Sequence, residues 1–280
     1  MSVAVLNDQS IASGDSNGKI KLWDSINGSL IKTIGLHSSS KTFSYSFFLN
    51  VLDDGKLVIG SEDKKITIWE PKSVNSVIRT LRGHSDHVTC IAVLRGDRIA
   101  SGSKDKTIII WNVNTGAKLK RIKSHTDCIN SLASLENDQL ASGSIYCVDT
   151  IKIFNATTGQ LVSTLRGHSI SVNCLLALPG NKLASSSFWD KIIRIWDIQS
   201  GEVLNQLEGH SDTVRYLILM KDGITMASAS VDKTIRLWSI ETGKAIKILQ
   251  GHTDKIDSIC LLEDGRLVSG SWDKSVIIWK

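Results

Sequence analysis

A histidine, a serine and an aspartate recur together along this 280-residue chain: His84, Ser101 and Asp105, then His210, Ser228 and Asp232, each trio followed by a tryptophan, Trp111 or Trp238. A serine activated by a histidine that an acid orients is the machinery of acyl transfer. Such a nucleophile must stand on a sharp turn where substrate can reach it. Here each serine lies inside a strand-like run, and one chain has no use for the same trio several times over, so the pattern predicts a structural role and no catalytic residue. Six of the seven histidines (His37, His84, His125, His168, His210 and His252) hold the same repeat position, leaving only His87 outside it. One histidine in each repeat, without a cysteine partner, builds no metal cluster. The five cysteines are odd in number, show no C-x-x-C spacing and fall mostly in apolar runs, as expected of reduced thiols serving as small core residues.

The period on which the trio returns decides the architecture. Seven segments end in an aromatic residue, KIKLWD at Trp23, KITIWE at Trp69, TIIIWN at Trp111, TIKIFN at Phe154, IIRIWD at Trp196, TIRLWS at Trp238 and SVIIWK at Trp279, with spacings of 46, 42, 43, 42, 42 and 41. Within a unit stand four short runs rich in β-branched residues, in the third unit VTCIAVL, RIASGS, TIIIW and KLKRI, whose length and composition argue strands. D-K-T joins the second run to the third, and N-T-G, T-T-G, Q-S-G or E-T-G joins the third to the fourth, which is turn chemistry. The two prolines, Pro71 and Pro179, both fall at such junctions.

Seven such units, with G-H and W-D pairs about 27 residues apart in the regular repeats, resemble the WD40-repeat β-propellers over essentially the whole chain. The resemblance implies an all-β, seven-bladed propeller, a single domain over residues 1–280 in which no blade buries its faces alone. It also implies that the His, Ser, Asp and Trp of each unit form a buried hydrogen-bonded network, His84, Ser101, Asp105 and Trp111 in the third blade and His210, Ser228, Asp232 and Trp238 in the sixth. Departures stand at Asn17 for Asp in the first unit, Ile59 for Ser in the second and Phe154 for Trp in the fourth, whose turn in SGSIYCVDTIKIF is altered between residues 145 and 149.

Two tryptophans are left over, Trp189 in SFWDKIIRIW and Trp272 in SWDKSVIIW, each directly before the turn Asp where other units carry Glu62, Lys104 or Val231. In structures of the WD40 family that position lies on one rim beside the channel, and G-protein β subunits, which this chain resembles, carry a partner-contacting Trp there. A tryptophan that docks a partner buries about 150–250 Å² and acts as an anchor. The same rim is expected to receive side chains three and five residues after each repeat histidine: His87 and Thr89, Cys128 and Asn130, Ser171 and Asn173, Thr213 and Arg215, Lys255 and Asp257, with Tyr45 and Phe47 as equivalents in the irregular second unit. Such a mixture of Tyr, Trp, Phe and Arg with small polar residues has the composition of a protein interface.

The composition fits that reading. A formal net charge of +5 is mild, and basic residues are interspersed with acidic ones, which predicts a mixed-charge surface and no nucleic-acid groove. No apolar run is long enough to span a membrane and the start has no secretory signal, so a cytoplasmic or nuclear location is expected. The first unit begins inside its first strand, SVAVL, and the last reaches Trp279 without a fourth strand. We therefore expect a fragment of a longer chain with one blade lacking its outer strand, the alternative being a partner strand that completes that blade, whose open edge invites pairing with another chain. The function expected is a non-enzymatic scaffold binding a protein or peptide on the rim, without a cofactor. Two alternatives stand beside it: a substrate-recruiting subunit of a larger complex such as a ubiquitin ligase, and a nucleic-acid-binding propeller. A phosphate-reading recruiter needs converging arginines, and only Arg215 falls on the expected rim.

Overall fold

The computed structural model describes residues 2–6, 8, 10–14, 19–35, 48–71, 77–123, 125–146, 151–168 and 171–279, and among them there are 27 strands and no helix. They form seven antiparallel sheets in simple up-and-down order, six of four strands and one of three. The innermost strands, Ser2–Val5, Phe48–Val51, Val88–Leu94, Ile129–Ser134, Val172–Leu178, Val214–Leu219 and Ile256–Leu261, line a central channel, each packed beside the next and the first beside the last. Ring closure is visible at Val3, whose N–H donates to Ser258 Oγ at 3.2 Å and whose side chain packs with Cys260, Leu262 and Val268 of the seventh blade. That blade consists of Ile256–Leu261, Leu267–Ser271 and Val276–Trp279, so the described chain has the one short blade expected from the repeat count.

The third blade shows why these residues make strands. Val88–Leu94, Arg98–Ser103, Thr107–Asn112 and Lys118–Lys123 coincide with the four β-branched runs. Burial falls outward: the third strand is buried at five of its six positions, while the outer strand buries only Ile122. The core therefore sits between sheets. Cys90, Ala100, Ile108 and Ile110 of the third blade pack against Ile129, Leu132, Leu140 and Phe154 of the fourth, and the same sharing recurs around the ring.

One position at each junction must be small. A Cβ added at Gly102 would stand 2.5 Å from Ile129 Cγ2 and 2.6 Å from Cys90 Sγ. A Cβ at Gly143 would stand 2.5 Å from Val172 Cγ1. In register, Cys90 opposes Gly102 as Tyr216 opposes Ala229 in the sixth blade, where a methyl is accommodated. Gly102→Ala is expected to cost about 1–3 kcal/mol of stability through overpacking, and Ala229→Gly less than about 1 kcal/mol. Urea denaturation of the two variants measures the difference, and equal effects would show that the junction yields where it is drawn as rigid.

Burial pushes the thiols of Cys90, Cys174 and Cys260 up to about 12 and raises that of Cys128, so the three buried sulfurs are inert core groups, as their sequence setting predicts. Cys147 lies outside the described residues.

Candidate partner-binding rim

The rim is built on the turns between second and third strands, which the repeated network holds in place. In the third blade His84 Nδ1 lies 2.8 Å from Asp105 Oδ2, His84 Nε2 lies 2.7 Å from Ser101 Oγ, and the Trp111 indole N–H donates to the same Oγ at 2.8 Å. In the sixth blade the matching distances are 2.7 Å for His210 to Asp232, 2.7 Å for His210 to Ser228 and 2.7 Å for Trp238 to Ser228. Complete copies join His168, Ser185, Asp190 and Trp196 in the fifth blade and His252, Ser269, Asp273 and Trp279 in the seventh. Asp105 also accepts the Thr107 N–H of its own turn and the Ser85 N–H of the connection that follows His84, so the carboxylate fixes the turn and ties it to that connection. The buried serine takes its hydrogen bonds inside the sheet, with no approach for a substrate. Among the described residues no group of three or more His, Cys, Asp or Glu side chains is placed to hold a metal ion.

The fourth and second blades carry thinner versions. His125 Nε2 meets Ser142 Oγ at 2.8 Å, but Phe154 has no N–H to add, and the turn at 147–150 lies outside the described residues. In the second blade Ile59 replaces the serine and is buried among apolar side chains. Asn17 and His37 fall outside the described residues.

Burial holds His84 and His168 below the ordinary histidine range despite their aspartate partners. Burial alone would raise Asp105 and Asp190, yet the hydrogen bonds they receive prevail and bring each down to about 2. The folded state thus binds fewer protons than the unfolded chain at histidine below pH about 6.5, and fewer at aspartate below about 4. Stability is expected to be greatest at pH about 7–8, to fall as the medium is acidified through pH 6 and again below about 4, and to fall above about 9, where the unfolded chain ionises thiols that the fold keeps protonated at Cys90, Cys174 and Cys260. Thermal melts across that range measure it, and a melting temperature that rises between pH 7 and 5.5 would mean that the networks prefer a charged imidazole.

Four aromatic side chains remain exposed among the described residues, Tyr146 at 68%, Phe188 at 41%, Trp189 at 54% and Trp272 at 55%, and all four stand on second-to-third-strand turns, on one rim. Trp272 is framed by its own blade: the Lys255 ammonium lies 3.4 Å from its ring centroid, and its indole N–H donates to Asp257. Asp257 in turn faces Arg215 Nε of the sixth blade at 3.9 Å, and the Arg215 guanidinium lies 5.8 Å from the Phe188 ring of the fifth. Phe188 and Trp189 meet edge to face at 5.4 Å. Lys255, Trp272, Asp257, Arg215, Phe188 and Trp189 therefore form one arc across three blades.

The arc corrects a detail of the sequence reading. Ser185 and Asp190 are five residues apart, whereas Ser101 and Asp105 are four apart, so the fifth turn holds one extra residue. Phe188 O accepts from Thr213 Oγ1 at 3.0 Å, as Lys104 O accepts from Cys128 Sγ at 3.9 Å, and it is Phe188 that takes the place of Lys104 and Trp272. Trp189 is the inserted residue, beside the anchor position instead of in it.

The other expected rim residues divide. Lys104 is exposed and His87 half-buried. Thr89 is buried, and its hydroxyl donates to Ile129 O of the next blade. Asn130 donates to Val172 O at 3.1 Å and Asn173 to Val214 O at 2.7 Å, each again one blade on. These three tie neighbouring blades. Asn130, Asn173, Arg215 and Asp257 line a cavity of about 410 Å³ within the channel. Tyr45 and Phe47 lie outside the described residues. Tyr146 was not singled out by the sequence reading; the available signal was an aromatic residue in a turn that elsewhere is polar.

The all-β, seven-bladed architecture agrees with the comparisons to known proteins. The profile described as WD domain, G-beta repeat matches residues 75–112, 159–197, 201–239 and 243–280, more than half of the chain. The chain belongs to the WD40 family. A solved structure, the WD40 β-propeller domain of Doa1, superimposes with a TM-score of 0.84 at 23% identity, covering 100% of this chain and 91% of that one, a likeness of fold. Among curated relatives, the nuclear distribution protein PAC1 of Fusarium vanettenii is 35% identical over 130 residues, 40% of this chain and 27% of the relative. Human apoptotic protease-activating factor 1 is 32% identical over 112 residues, 40% of this chain and 8% of the relative. The matched part of the chain thus spans about a quarter or less of these relatives. WD40 propellers are generally non-enzymatic interaction scaffolds that bind protein partners.

Proposed function

We propose that this chain is a non-enzymatic interaction module that binds a protein or peptide partner on the rim carrying Trp272, Phe188 and Trp189. The observation that carries the reading is the clustering of every exposed aromatic side chain among the described residues on one set of turns. A random scatter of surface aromatics would place some on the opposite rim or on the outer strands. Aromatic and arginine side chains are the usual anchors of protein interfaces, and here Arg215 sits between the Trp272 and Phe188 sites. The rigid tetrads beneath the turns hold the anchors in position before the partner arrives, which lowers the entropy lost on binding. The free thiols of Cys90, Cys128, Cys174 and Cys260 support a reducing compartment, and we place the protein in the cytoplasm or nucleus.

The test is affinity capture from lysate with the purified chain beside a Trp189→Ala, Trp272→Ala double variant of matched melting temperature, read by mass spectrometry. Partners lost with the variant support the rim. An unchanged partner set removes both tryptophans from the binding surface.

A further inference from the structure

The aromatic rim also carries an unusual set of cations. Lys64, Lys106, Lys191, Lys233 and Lys274 follow the turn aspartates of five blades, and each adopts a left-handed backbone conformation with φ between 57° and 70°. Side chains other than glycine or asparagine are disfavoured there, so five exposed lysines stand where the backbone gains nothing from them.

Their neighbouring carboxylates do not offset them toward solvent. Asp105, Asp190, Asp232 and Asp273 are turned inward onto the repeat histidines, and Asp63 onto Lys65 at 2.6 Å. The acceptor oxygens are used within the protein, while the ammonium groups point outward. Lys64, Lys106, Lys233 and Lys274 make no ion pair among the described residues, and Lys191 reaches only the Ser211 carbonyl, at 2.7 Å. On the opposite rim several cations are paired with carboxylates, Arg98 with Asp138 at 2.7 Å, Arg266 with Asp264 at 2.7 Å and Lys56 with Asp54, while Lys221 reaches only the Glu263 carbonyl.

We propose that the rim selects an acidic peptide segment of its partner, whose carboxylates meet the lysine ring while an apolar side chain settles against Trp272 and Phe188. The proposal rests on the rim reading above and specifies the chemistry of what binds there. A nucleic acid is disfavoured by geometry. Asp86, Asp127, Asp212 and Asp254 cap four of the connections between blades, each accepting the following backbone N–H, and these carboxylates interrupt the lysines there. A continuous phosphate track would pass over them, whereas a peptide with separated acidic side chains need not.

The experiment is selection of a displayed library of random peptides, about 15 residues long, on the whole chain, with counter-selection on Trp272→Ala. The peptides that depend on Trp272 are expected to be rich in Asp and Glu. A representative one, followed by fluorescence anisotropy, should lose roughly tenfold in affinity on a Lys106→Asn, Lys233→Asn, Lys274→Asn triple variant. It should weaken several-fold between about 50 and 300 mM salt. Asparagine is at ease in the left-handed region, so the triple variant should melt no lower than the parent, and charge is the property it tests. Trp272-dependent peptides that are neutral or basic would overturn the acidic proposal and leave the rim reading standing. If no peptide depends on Trp272, both fall. Tighter binding of a labelled single-stranded oligonucleotide, lost in the triple variant, would assign the lysines to nucleic acid and overturn the proposal.

Discussion

Asp232→Ala is expected to destabilise the chain by about 3–5 kcal/mol, although it removes only a carboxylate. The carboxylate accepts from His210 Nδ1 at 2.7 Å, from the Ser211 and Thr234 N–H groups at 3.1 and 3.0 Å, and from Thr234 Oγ1 at 2.6 Å. Its side chain is only 4% exposed, so water cannot replace what is lost. His210 and the Thr234 N–H and hydroxyl lose their acceptor where little water reaches, while the Ser211 N–H loses it at the exposed edge, and an unmade buried hydrogen bond is dearer than a made one is favourable. The same logic grades the blades. Ser228→Ala strips a partner from both Trp238 and His210 and should cost about 2–3 kcal/mol. Ser142→Ala, in the blade where Phe154 brings no N–H, should cost about 1 kcal/mol. Urea titrations with unchanged slopes measure all three, and equal costs for Ser228→Ala and Ser142→Ala would mean that the indole hydrogen bond contributes nothing.

The tetrads and the strands were legible because repetition multiplies weak local signals. A single S-x-x-x-D says little, but four complete networks, at His84 and then at His168, His210 and His252, on a repeat of about 42 residues fix the second strand, the turn and the third strand together. The rim was less legible, because register there is set by backbone partners and not by the letter next to the aspartate. The pair Trp189 and Asp190 copies Trp272 and Asp273 as text, yet the extra residue in the fifth turn hands the anchor position to Phe188. Direction was also hidden. Asn130, Asn173 and Thr89 occupy alternate positions that read as rim, but their polar tips reach sideways to the next blade's carbonyls, a contact between residues some 40 positions apart. Nothing in the local sequence distinguishes an amide that awaits a partner from one that staples two sheets.

That distinction returns in the prediction with the largest expected effect on binding. Trp272→Ala should weaken association with a rim partner by about 2–4 kcal/mol, a loss of roughly 30- to 1,000-fold. Its ring is half exposed, so deletion opens no core cavity and the melting temperature should stay with the parent. The size of the effect follows from the frame around the ring. Lys255 covers one face at 3.4 Å and Asp257 holds the indole N–H, so the side chain is positioned before a partner arrives and little freedom remains to be lost. Trp272→Phe keeps the apolar face but releases Asp257, and should fall between parent and alanine variant. In the fifth blade the order should be unequal: Phe188, in the anchor position with Arg215 5.8 Å from its ring, outweighs the inserted Trp189. Calorimetry on a captured partner against Trp272→Ala, Trp272→Phe, Phe188→Ala and Trp189→Ala resolves the set. Parental affinity in Trp272→Ala would remove the arc from the binding surface, whereas a greater loss in Trp189→Ala than in Phe188→Ala would show that the partner reads the inserted residue and that anchor register is not what it recognises.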